Sequence, residues 1–488
     1  MSDTERRDEL AEYDESELVF HPDGTVTRKR FLIAGGGAVL GAAVSGPLIF
    51  TRSAEAMTDL RGIHLPYRAH TSVKGSLKFW HFWSSPLRRG AIHSAIKQFN
   101  SVYKHIQVED LPIPFANMFD KIHTAVAAQS GVPDVVVADR PSFWVDARSR
   151  VYEPLTAYNA RDKVSSRLFY PFTWYESNVK VHGKNELFGL PFETDIRVMF
   201  VNRAALIDAG LNPNHNPKAW DDLKKFAAKL DQKSGSQYSV MTFWPLDNQS
   251  LDTIVWENRG DWETRKQYPT VNSAHNIQTA EFIKYWVDRY GGESAFNYLN
   301  SQSQPGLDPF ASSHLVLHVD TPTYQDATLN QHGVKFTPKN GSSNYPYWNV
   351  AEVPAGPSGK PYTFSGGFAM GVPRNDHRSH GNADAAWEFV KFMSLVGQLT
   401  FERFAGNIPT VIKMTHDSYL SSKPHWSSVT AALHYGHPKT RNTYDPLYPK
   451  DVTDTAQGHV VDGSQSPKDA MDAAQHQALL NMKRNGGP

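Results

Sequence analysis

Residues 77–138 read LKFWHFWSSPLRRGAIHSAIKQFNSVYKHIQVEDLPIPFANMFDKIHTAVAAQSGVPDVVVA. Aromatic and β-branched content predicts three strands in this stretch, at Leu77–Trp83, Ile106–Val108 and Asp134–Ala138. Apolar residues at helical spacing predict helices in the two intervals, over Ala91–Val102 and Phe119–Gln129. Strand, helix, strand, helix, strand is the order of an α/β lobe, and the wholly apolar third strand is typical of a parallel sheet.

The same alternation returns further along the chain. Strands are predicted at Val198–Val201 and Leu315–Val319, and helices at Ala204–Ala209, Pro217–Leu230, Ile277–Tyr290, Ala383–Ser394 and Ser466–Met482. A chain of 488 residues is long enough for two or three domains. Two α/β lobes fit this order better than one large sheet.

Composition excludes several classes of function. The chain contains no cysteine, which removes disulfides, thiolate nucleophiles and zinc–cysteine sites. The formal net charge is zero, so there is no electrostatic argument for nucleic acid. No phosphate-binding glycine loop is present, and no cofactor is expected. His314 and His318 share a strand face, but a histidine pair without a third ligand predicts a structural role rather than a metal site.

The N-terminal residues predict export. The basic run Thr27-Arg28-Lys29-Arg30 precedes an apolar segment, residues 31–50, and Ala54-Glu55-Ala56 is an A-x-A cleavage pattern. Residues 1–56 therefore resemble a twin-arginine export signal cleaved after Ala56, with Arg28-Lys29 in place of two arginines. A general secretory signal or an uncleaved anchor is the alternative. Residues 57–75 are predicted to be a linker, and the chain is expected in a periplasmic or other extracytoplasmic location.

Several short motifs follow one another along residues 75–482. They include GVPDVV, LFGLP, VPAGP and AWEFVKF, at Gly131–Val136, Leu187–Pro191, Val353–Pro357 and Ala386–Phe392. In this order the motifs resemble those of the family 1 extracellular solute-binding proteins of ABC transporters, the maltose-binding type. One step departs from the family pattern. Phe310–Leu317 lacks the usual Gly-Lys pair, and Asp320 stands where a glycine usually follows.

The resemblance implies an α/β fold of the two-lobed periplasmic-binding-protein type (type II), with a ligand cleft between lobes joined by a hinge. On this basis the N-terminal lobe is expected at residues 76–199 and 322–372, and the C-terminal lobe at residues 200–321 and 373–488. The implied function is that of a monomeric, non-enzymatic receptor that delivers a mono- or oligosaccharide to the permease subunits of an ABC importer.

Candidate ligand contacts lie where strands end, because ligands of α/β sheets bind at the carboxyl ends of the strands. An exposed Trp83 followed by Ser84 provides a stacking plane and a hydroxyl for a sugar. Asp139 and Arg140 can bracket a polyol by charge-assisted hydrogen bonds, although a salt bridge is the alternative.

Further candidates follow LFGLPF and lie in the second lobe. If the backbone is extended, Glu193 and Asp195 share one side. In the family such acids bind sugar hydroxyls, whereas a hinge held by ion pairs is the structural alternative. Trp244 and Trp256 are expected sugar platforms, and Asp320 a polar contact. Gly366 and Gly367 can let backbone amides approach a ligand, or can form a plain tight turn.

Three other functions stay open on the sequence, one of which is a two-lobed protein that signals rather than transports. A secreted glycoside hydrolase would need two carboxylates placed across a scissile bond, and only Glu193 and Asp195 suggest such a pair. A receptor for a non-sugar solute, such as a polyamine or a polyol phosphate, is compatible with the acidic residues near the predicted strand ends.

Overall fold

The computed structural model describes residues 18–20, 26–28, 56–60, 63–181, 183–339, 348–442, 444–445 and 447–487. The apolar segment of the predicted export signal, residues 31–50, lies outside the described residues. No helix within the described ranges is long and apolar enough to cross a membrane.

The strands are β1 Leu18–Phe20, β2 Val26–Arg28, β3 Ala56–Leu60, β4 Ile63–Tyr67, β5 Gly75–His81, β6 Ile106–Pro112, β7 Val135–Asp139, β8 Asn178–Val181, β9 Lys184–Leu187, β10 Gly189–Thr194, β11 Val198–Asn202, β12 Gln232–Ser234, β13 Gln237–Phe243, β14 Leu315–Asp320, β15 Trp348–Ala351, β16 Thr363–Phe364, β17 Gly367–Gly371, β18 Ile408–Pro409 and β19 Gly436–His437.

The α-helices are α1 Pro86–Val102, α2 Phe115–Ala128, α3 Phe143–Arg148, α4 Thr156–Asp162, α5 Pro171–Ser177, α6 Arg203–Asp208, α7 Trp220–Leu230, α8 Leu251–Ile254, α9 Ala274–Tyr290, α10 Glu293–Gln302, α11 His380–Phe392, α12 Gln398–Ala405, α13 Ser418–Ser421, α14 Trp426–Ala432, α15 Lys450–Asp462 and α16 Pro467–Arg484. Each strand and helix predicted above has its counterpart among these elements, with ends shifted by a few residues.

The chain divides into two compact units. The first unit comprises residues up to Glu193 together with Gly367–Leu420. Its six-stranded sheet has the order β18-β10-β17-β7-β5-β6. Strand β5 runs parallel to β6 and β7, and β17 pairs antiparallel with β7. Helices α1 and α2 connect the parallel strands, as the alternation of apolar patterns predicted.

Helix α1 illustrates how local sequence builds this unit. The hydroxyl of Ser85 accepts a hydrogen bond from the amide of Arg88, and Pro86 occupies the first turn, where its missing N–H costs nothing. Ala91, Ile92 and Phe99 are among the apolar residues that the helix buries. The predicted core face is therefore the observed one.

The second unit comprises Thr194–Gly366 and Ser421–Pro488. Its five-stranded sheet has the order β12-β13-β14-β11-β15. Strand β13 runs parallel to β14, while β11 lies antiparallel between β14 and β15. The helices α9, α15 and α16 pack against one another in this unit.

The observed boundaries correct the predicted ones. Residues 322–366 belong to the second unit, because β15 extends its sheet next to β11. Residues 373–420 belong to the first unit, because α11 packs on β5 and β18 joins the first sheet. Each of these two segments was therefore predicted in the wrong unit, although the chain does form two units.

The segment predicted as a linker is partly folded. Strands β3 and β4 form a hairpin, and Leu65 and Tyr67 of β4 are buried in the first unit. The ring of Tyr67 contacts Phe392 edge-on, and its hydroxyl lies 2.6 Å from that of Tyr103. Because these side chains fill core positions, residues 63–70 are part of the domain.

Candidate ligand-binding site

The residues that sequence analysis singled out lie near the ends of strands in both units. In the first unit, the parallel strands β5, β6 and β7 end at the same edge of the sheet, with the segments after His81, Pro112 and Asp139 side by side. This is the edge at which open α/β sheets bind ligands.

Trp83 differs from the prediction, because its side chain is buried rather than exposed. Only 1% of its surface is accessible, and its ring lies 4.4 Å from that of Phe401 and 5.4 Å from that of Phe192. Its backbone amide donates to Nδ1 of His81. The neighbouring Ser84 is exposed. A ligand contact by either residue stays a prediction.

The accessible aromatic side chains at this edge are phenylalanines that the sequence analysis missed. We call Phe82, Phe115, Phe119 and Phe368 the aromatic surface. The ring centroid of Phe82 lies 5.1 Å from that of Phe115 and 4.6 Å from that of Phe368. Phe115 is 53% exposed, and the other three are half-buried. The pair Phe115 and Phe119, one helical turn apart at the start of α2, was the available sequence signal.

Asp139 and Arg140 end strand β7 but have different environments. Asp139 is half-buried, pairs in register with Phe368 of the aromatic surface, and accepts a hydrogen bond from Ser142 Oγ. Arg140 is fully buried, and its Nη1 donates to Glu176 at 2.6 Å. The guanidinium thus belongs to a buried ion pair within the first unit, whereas the sequence alternative was a salt bridge at the surface or between lobes. Contacts of either residue with a ligand stay predictions.

Glu193 and Asp195 fall in different units. Glu193 is 2% exposed and accepts a hydrogen bond from Asn407 within the first unit. Asp195 belongs to the second unit, where its Oδ1 accepts from Arg197 at 2.9 Å and from the amide of Gly366 at 3.0 Å. Both carboxylates therefore have partners from the protein, and their contacts with a ligand stay predictions.

The two glycines lie beside Asp195. A Cβ on Gly366 would lie 3.1 Å from a carboxylate oxygen of Asp195, and Gly367 has a φ of +118°, which disfavours a side chain. These two observations account for glycine at both positions. Their predicted approach to a ligand has no further support in these distances and stays a prediction.

In the second unit, strands β13 and β14 end together and carry an acid–histidine–acid cluster. Nδ1 of His318 lies 2.5 Å from Asp247, and its Nε2 lies 3.4 Å from Asp320. Asp320 also accepts from Asn248 Nδ2 and from the amide of Thr321. The side chain of Asp320 is 25% exposed, so this predicted contact residue is accessible at the strand end.

Electrostatics hold His318 in its charged form. Burial alone would lower the pKa of His318, but the two neighbouring carboxylates raise it to about 10. Burial disfavours the ionised form of Asp320, whereas the neighbouring His318 favours it. The net effect is that the pKa of Asp320 is lowered. The imidazolium thus favours the anionic form of Asp320, and its two aspartate neighbours explain the second histidine of the HLVLH pattern without a metal.

The two predicted tryptophan platforms are both covered by other rings. Trp244 stacks on Phe296 at 5.2 Å and 7°, and Trp256 stacks on His437 at 4.1 Å and 23°. Each tryptophan is 3% exposed. Stacking of a sugar on either ring stays a prediction, and the structure shows His437 on one face of Trp256.

Among the described residues, His70, Asp162 and Glu388 have possible metal-ligand atoms within 4.8 Å of one another. The two carboxylates already bind Lys391 and Arg161, and Trp387 donates to Asp162. These cations compensate both acids, so the group is a buried ion network that joins residue 70 to helices α4 and α11.

Comparison with known proteins agrees with this architecture. Residues 85–398 match the model of the bacterial extracellular solute-binding protein family. An arabinooligosaccharide-binding protein of Bacillus subtilis (strain 168) is 22% identical over 247 residues, which is 48% of this chain and 54% of that protein. The alignment thus spans about half of that relative's length.

Solved structures share the fold. A protein named CpMnBP1, solved with mannotriose bound, has a TM-score of 0.66 and 20% identity, and the match covers 83% of this chain and all of that one. The sugar-binding protein MalE of Xanthomonas citri has a TM-score of 0.65 and 19% identity, with 84% and 98% covered. The fold is that of the two-lobed binding proteins. Because the family model matches well over half of the chain, the protein belongs to the bacterial extracellular solute-binding protein family.

Proposed function

We propose that this protein is a carbohydrate receptor of an ABC importer, which binds a mono- or oligosaccharide without turning it over and presents it to permease subunits. Family membership supports solute binding. The names of the relatives, which bind arabinooligosaccharides or mannotriose, support a carbohydrate as the solute. We further propose that residues 1–56 direct export and that the protein acts outside the cytoplasm.

The observation that carries the sugar proposal is the aromatic surface of the first unit. Phenylalanine rings that are accessible at a strand edge can stack on the apolar C–H faces of a sugar. Solvation of an exposed ring such as Phe115 is unfavourable, and a ligand that covers it removes apolar area from water. Asp139, in register with Phe368, adds a hydrogen-bond acceptor beside these rings.

Asp320 is a separate candidate polar contact in the second unit. Its oxygens are held by His318, Asn248 and the amide of Thr321 and are partly accessible. A fixed carboxylate accepts hydrogen bonds from sugar hydroxyls more strongly than a neutral acceptor does. An anionic Asp320 therefore fits a ligand that is rich in hydroxyl donors.

A thermal-shift screen of mono- and oligosaccharides tests the proposal. We expect at least one sugar to raise the melting temperature, since ligand at ~100 times its dissociation constant adds about 2.7 kcal/mol to stability. The sugar should be recovered unchanged after prolonged incubation. Steady release of reducing ends would instead indicate a hydrolase and would contradict the proposal.

Substitution of single rings separates ligand contact from core. We expect Phe115→Ala to weaken binding of the sugar found in the screen by about 1–2 kcal/mol while leaving the unliganded melting temperature nearly unchanged, because the ring is mostly exposed. Trp83→Ala should lower that melting temperature strongly, at a cost of about 3–5 kcal/mol of stability. Titration calorimetry and melting curves measure both effects.

A matched control is Tyr285→Ala, which removes a partly exposed ring from helix α9 that stacks under Lys224. Its affinity for the sugar should equal that of the unmodified protein. If Phe115→Ala binds as tightly as this control, the aromatic surface is not the sugar platform.

A further inference from the structure

Two cations share one aromatic ring in the second unit. The guanidinium of Arg197 lies 5.2 Å from the ring centroid of Phe364, and Nζ of Lys439 lies 5.4 Å from it. Phe364 in β16 pairs in register with His437 in β19, two residues before Lys439. We call Arg197, Trp256, Phe364, His437 and Lys439 the cationic cluster.

The positive charge of this cluster is only partly compensated. Asp195 forms an ion pair with Arg197 at 2.9 Å. Within the part of the chain that the structure describes, Lys439 has no carboxylate partner, and its recorded neighbour is the face of Phe364. A lysine over an aromatic ring keeps three N–H donors for another partner. Lys439 thus keeps its positive charge and its donors for another partner, whereas Arg197 interacts with Asp195 and electrostatically with Asp320.

Trp256 adds a third donor. It stacks on His437 at 4.1 Å and is 3% exposed, yet its buried indole Nε1–H has no hydrogen-bond partner among the described residues. A buried donor left unpaired costs free energy, and an acceptor brought by a ligand would remove that cost. His437 directs its Nδ1 to the carbonyl of Pro438 and is not the partner.

The ring of Phe364 provides an apolar surface beside the donors of Arg197 and Lys439. Arg197, Lys439, His437 and Phe364 are all partly accessible, as their exposed fractions are intermediate. The amide of Arg197 also donates to the carbonyl of Phe364, which fixes the backbone beneath the guanidinium. An apolar ring bordered by cationic donors suits a molecule that has both a carbon skeleton and an anionic group.

We propose that the cationic cluster is a subsite for the acidic group of an anionic carbohydrate, a carboxylate or a phosphate carried on a sugar or polyol. Lys439 supplies the charge, Arg197 and the indole N–H of Trp256 supply further donors, and Phe364 packs against the carbon skeleton. This inference rests on the proposed function and narrows it, since neutral sugars leave these donors without an anionic acceptor.

Matched pairs of probes test the subsite in titration calorimetry. The neutral members are galactose, glucose and glycerol, and the acidic members are galacturonate, glucuronate, glucose 6-phosphate and glycerol 3-phosphate. We expect at least one acid to bind about tenfold or more tightly than its neutral partner. Its affinity should fall as salt is raised from low ionic strength, because ions screen exposed charges. The uronate and phosphate arms distinguish the two sources of negative charge.

Three variants place the effect at the cluster. Lys439→Gln should weaken binding of the preferred acid by about tenfold and leave a neutral sugar unchanged, and Lys439→Arg should retain most of the affinity. Trp256→Phe keeps the ring but removes the N–H, and should weaken binding of the acid by a smaller factor. Lys233→Gln is the control, because this exposed lysine lies over Tyr238 in the same manner, 4.5 Å from its centroid.

The outcomes separate the two proposals. If neutral sugars bind as tightly as their acids, or if Lys439→Gln weakens both classes equally, the acidic subsite is wrong while carbohydrate binding stands. If no carbohydrate of either class binds, the proposed function itself fails. If the unliganded Lys439→Gln protein has a lower melting temperature, the subsite is tested instead by the affinity of Lys439→Arg for the acid and by the salt dependence of acid binding to the unmodified protein.

Discussion

At the scale of single residues, two acids of the second unit form no ion pair with a cation among the described residues. Glu257, next to Trp256, is 3% exposed and accepts hydrogen bonds from Trp220 Nε1 and Gln249 Nε2. Burial raises the pKa of Glu257 to about 8, even though both hydrogen bonds favour the anion. Glu263 follows the same rule, with its pKa raised by burial to about 7.

A raised carboxyl pKa makes the stability of the protein depend on pH. The folded state keeps the proton of Glu257, whereas the unfolded chain releases it near pH 4.3. The stability contributed by this proton is therefore fully present below that pH and is lost as the pH rises towards 8. Each unit of pKa difference corresponds to about 1.4 kcal/mol.

We expect Glu257→Gln to flatten the decline of unfolding free energy between pH 5 and pH 8, because the amide does not ionise. Denaturant unfolding at the two pH values measures the change, which should amount to a few kcal/mol. The variant retains Glu263, so a smaller decline of the unfolding free energy with rising pH should remain. Equal slopes in the variant and the unmodified protein would mean that Glu257 is ionised in the folded state.

Residue-scale packing also explains why Phe82 rather than Trp83 is the accessible ring after strand β5. Phe82 and Trp83 are neighbours, and the order LKFWHFW does not say which of the two rings enters the core. Contacts with Phe192 and Phe401 bury Trp83, while Phe82 turns to Phe115 and Phe368. Three of these four partners lie more than one hundred residues away along the chain, so no local pattern could identify them.

At the scale of elements, the hairpin of β3 and β4 and the residues after it are part of the first unit. Tyr67 and Tyr103 share a short hydrogen bond between hydroxyls, and Tyr103 also donates to Glu388 of helix α11. The amide of His70 donates to the same glutamate. Strand β4 is thus attached to two helices by buried polar contacts as well as by the ring of Tyr67.

We expect Tyr67→Ala to destabilise the protein by about 3–5 kcal/mol, because it opens a cavity and leaves the hydroxyl of Tyr103 with one partner fewer. The neighbouring Arg68 is exposed, and Arg68→Ala serves as the control with an effect within about 0.5 kcal/mol. Thermal unfolding of the two unliganded variants decides the question. Similar melting temperatures would show that residues 57–75 behave as the linker that the sequence suggested.

At the scale of the whole molecule, the chain builds two units by passing from the first to the second and back. The chain returns to the first unit at Gly367, where β17 pairs with β7, and to the second unit at Ser421. Each unit has its own sheet and its own core. The family model extends over parts of both units.

Export gives the prediction for the chain as a whole. Cleavage after Ala56 would remove the first residue of β3 and leave Met57–Leu60 to pair with β4 in the observed register. Mass spectrometry of the protein recovered outside the cytoplasm should therefore find Met57 at the N-terminus. A full-length chain in the membrane fraction would contradict cleavage and favour an anchor.

The sequence by itself determined the order and type of the elements that it predicted, the class of fold and the family motifs. These features depend on local periodicity and short turns, so LKFWHFW and DVVVA indicated strands β5 and β7 without any tertiary information. The same local information placed β14 and helix α9 correctly in all but their terminal residues.

Only the tertiary structure decided which segment joins which sheet and which side chains are accessible at the strand ends. Strand β15 lies beside β11, and β17 beside β7, through pairings that join residues far apart in the chain. Burial of Trp83 and exposure of Phe115 follow from the same distant contacts, as does the meeting of Arg197 with Lys439 on Phe364. Local patterns set the free energy of forming an element, whereas long-range packing sets which of its faces meets solvent.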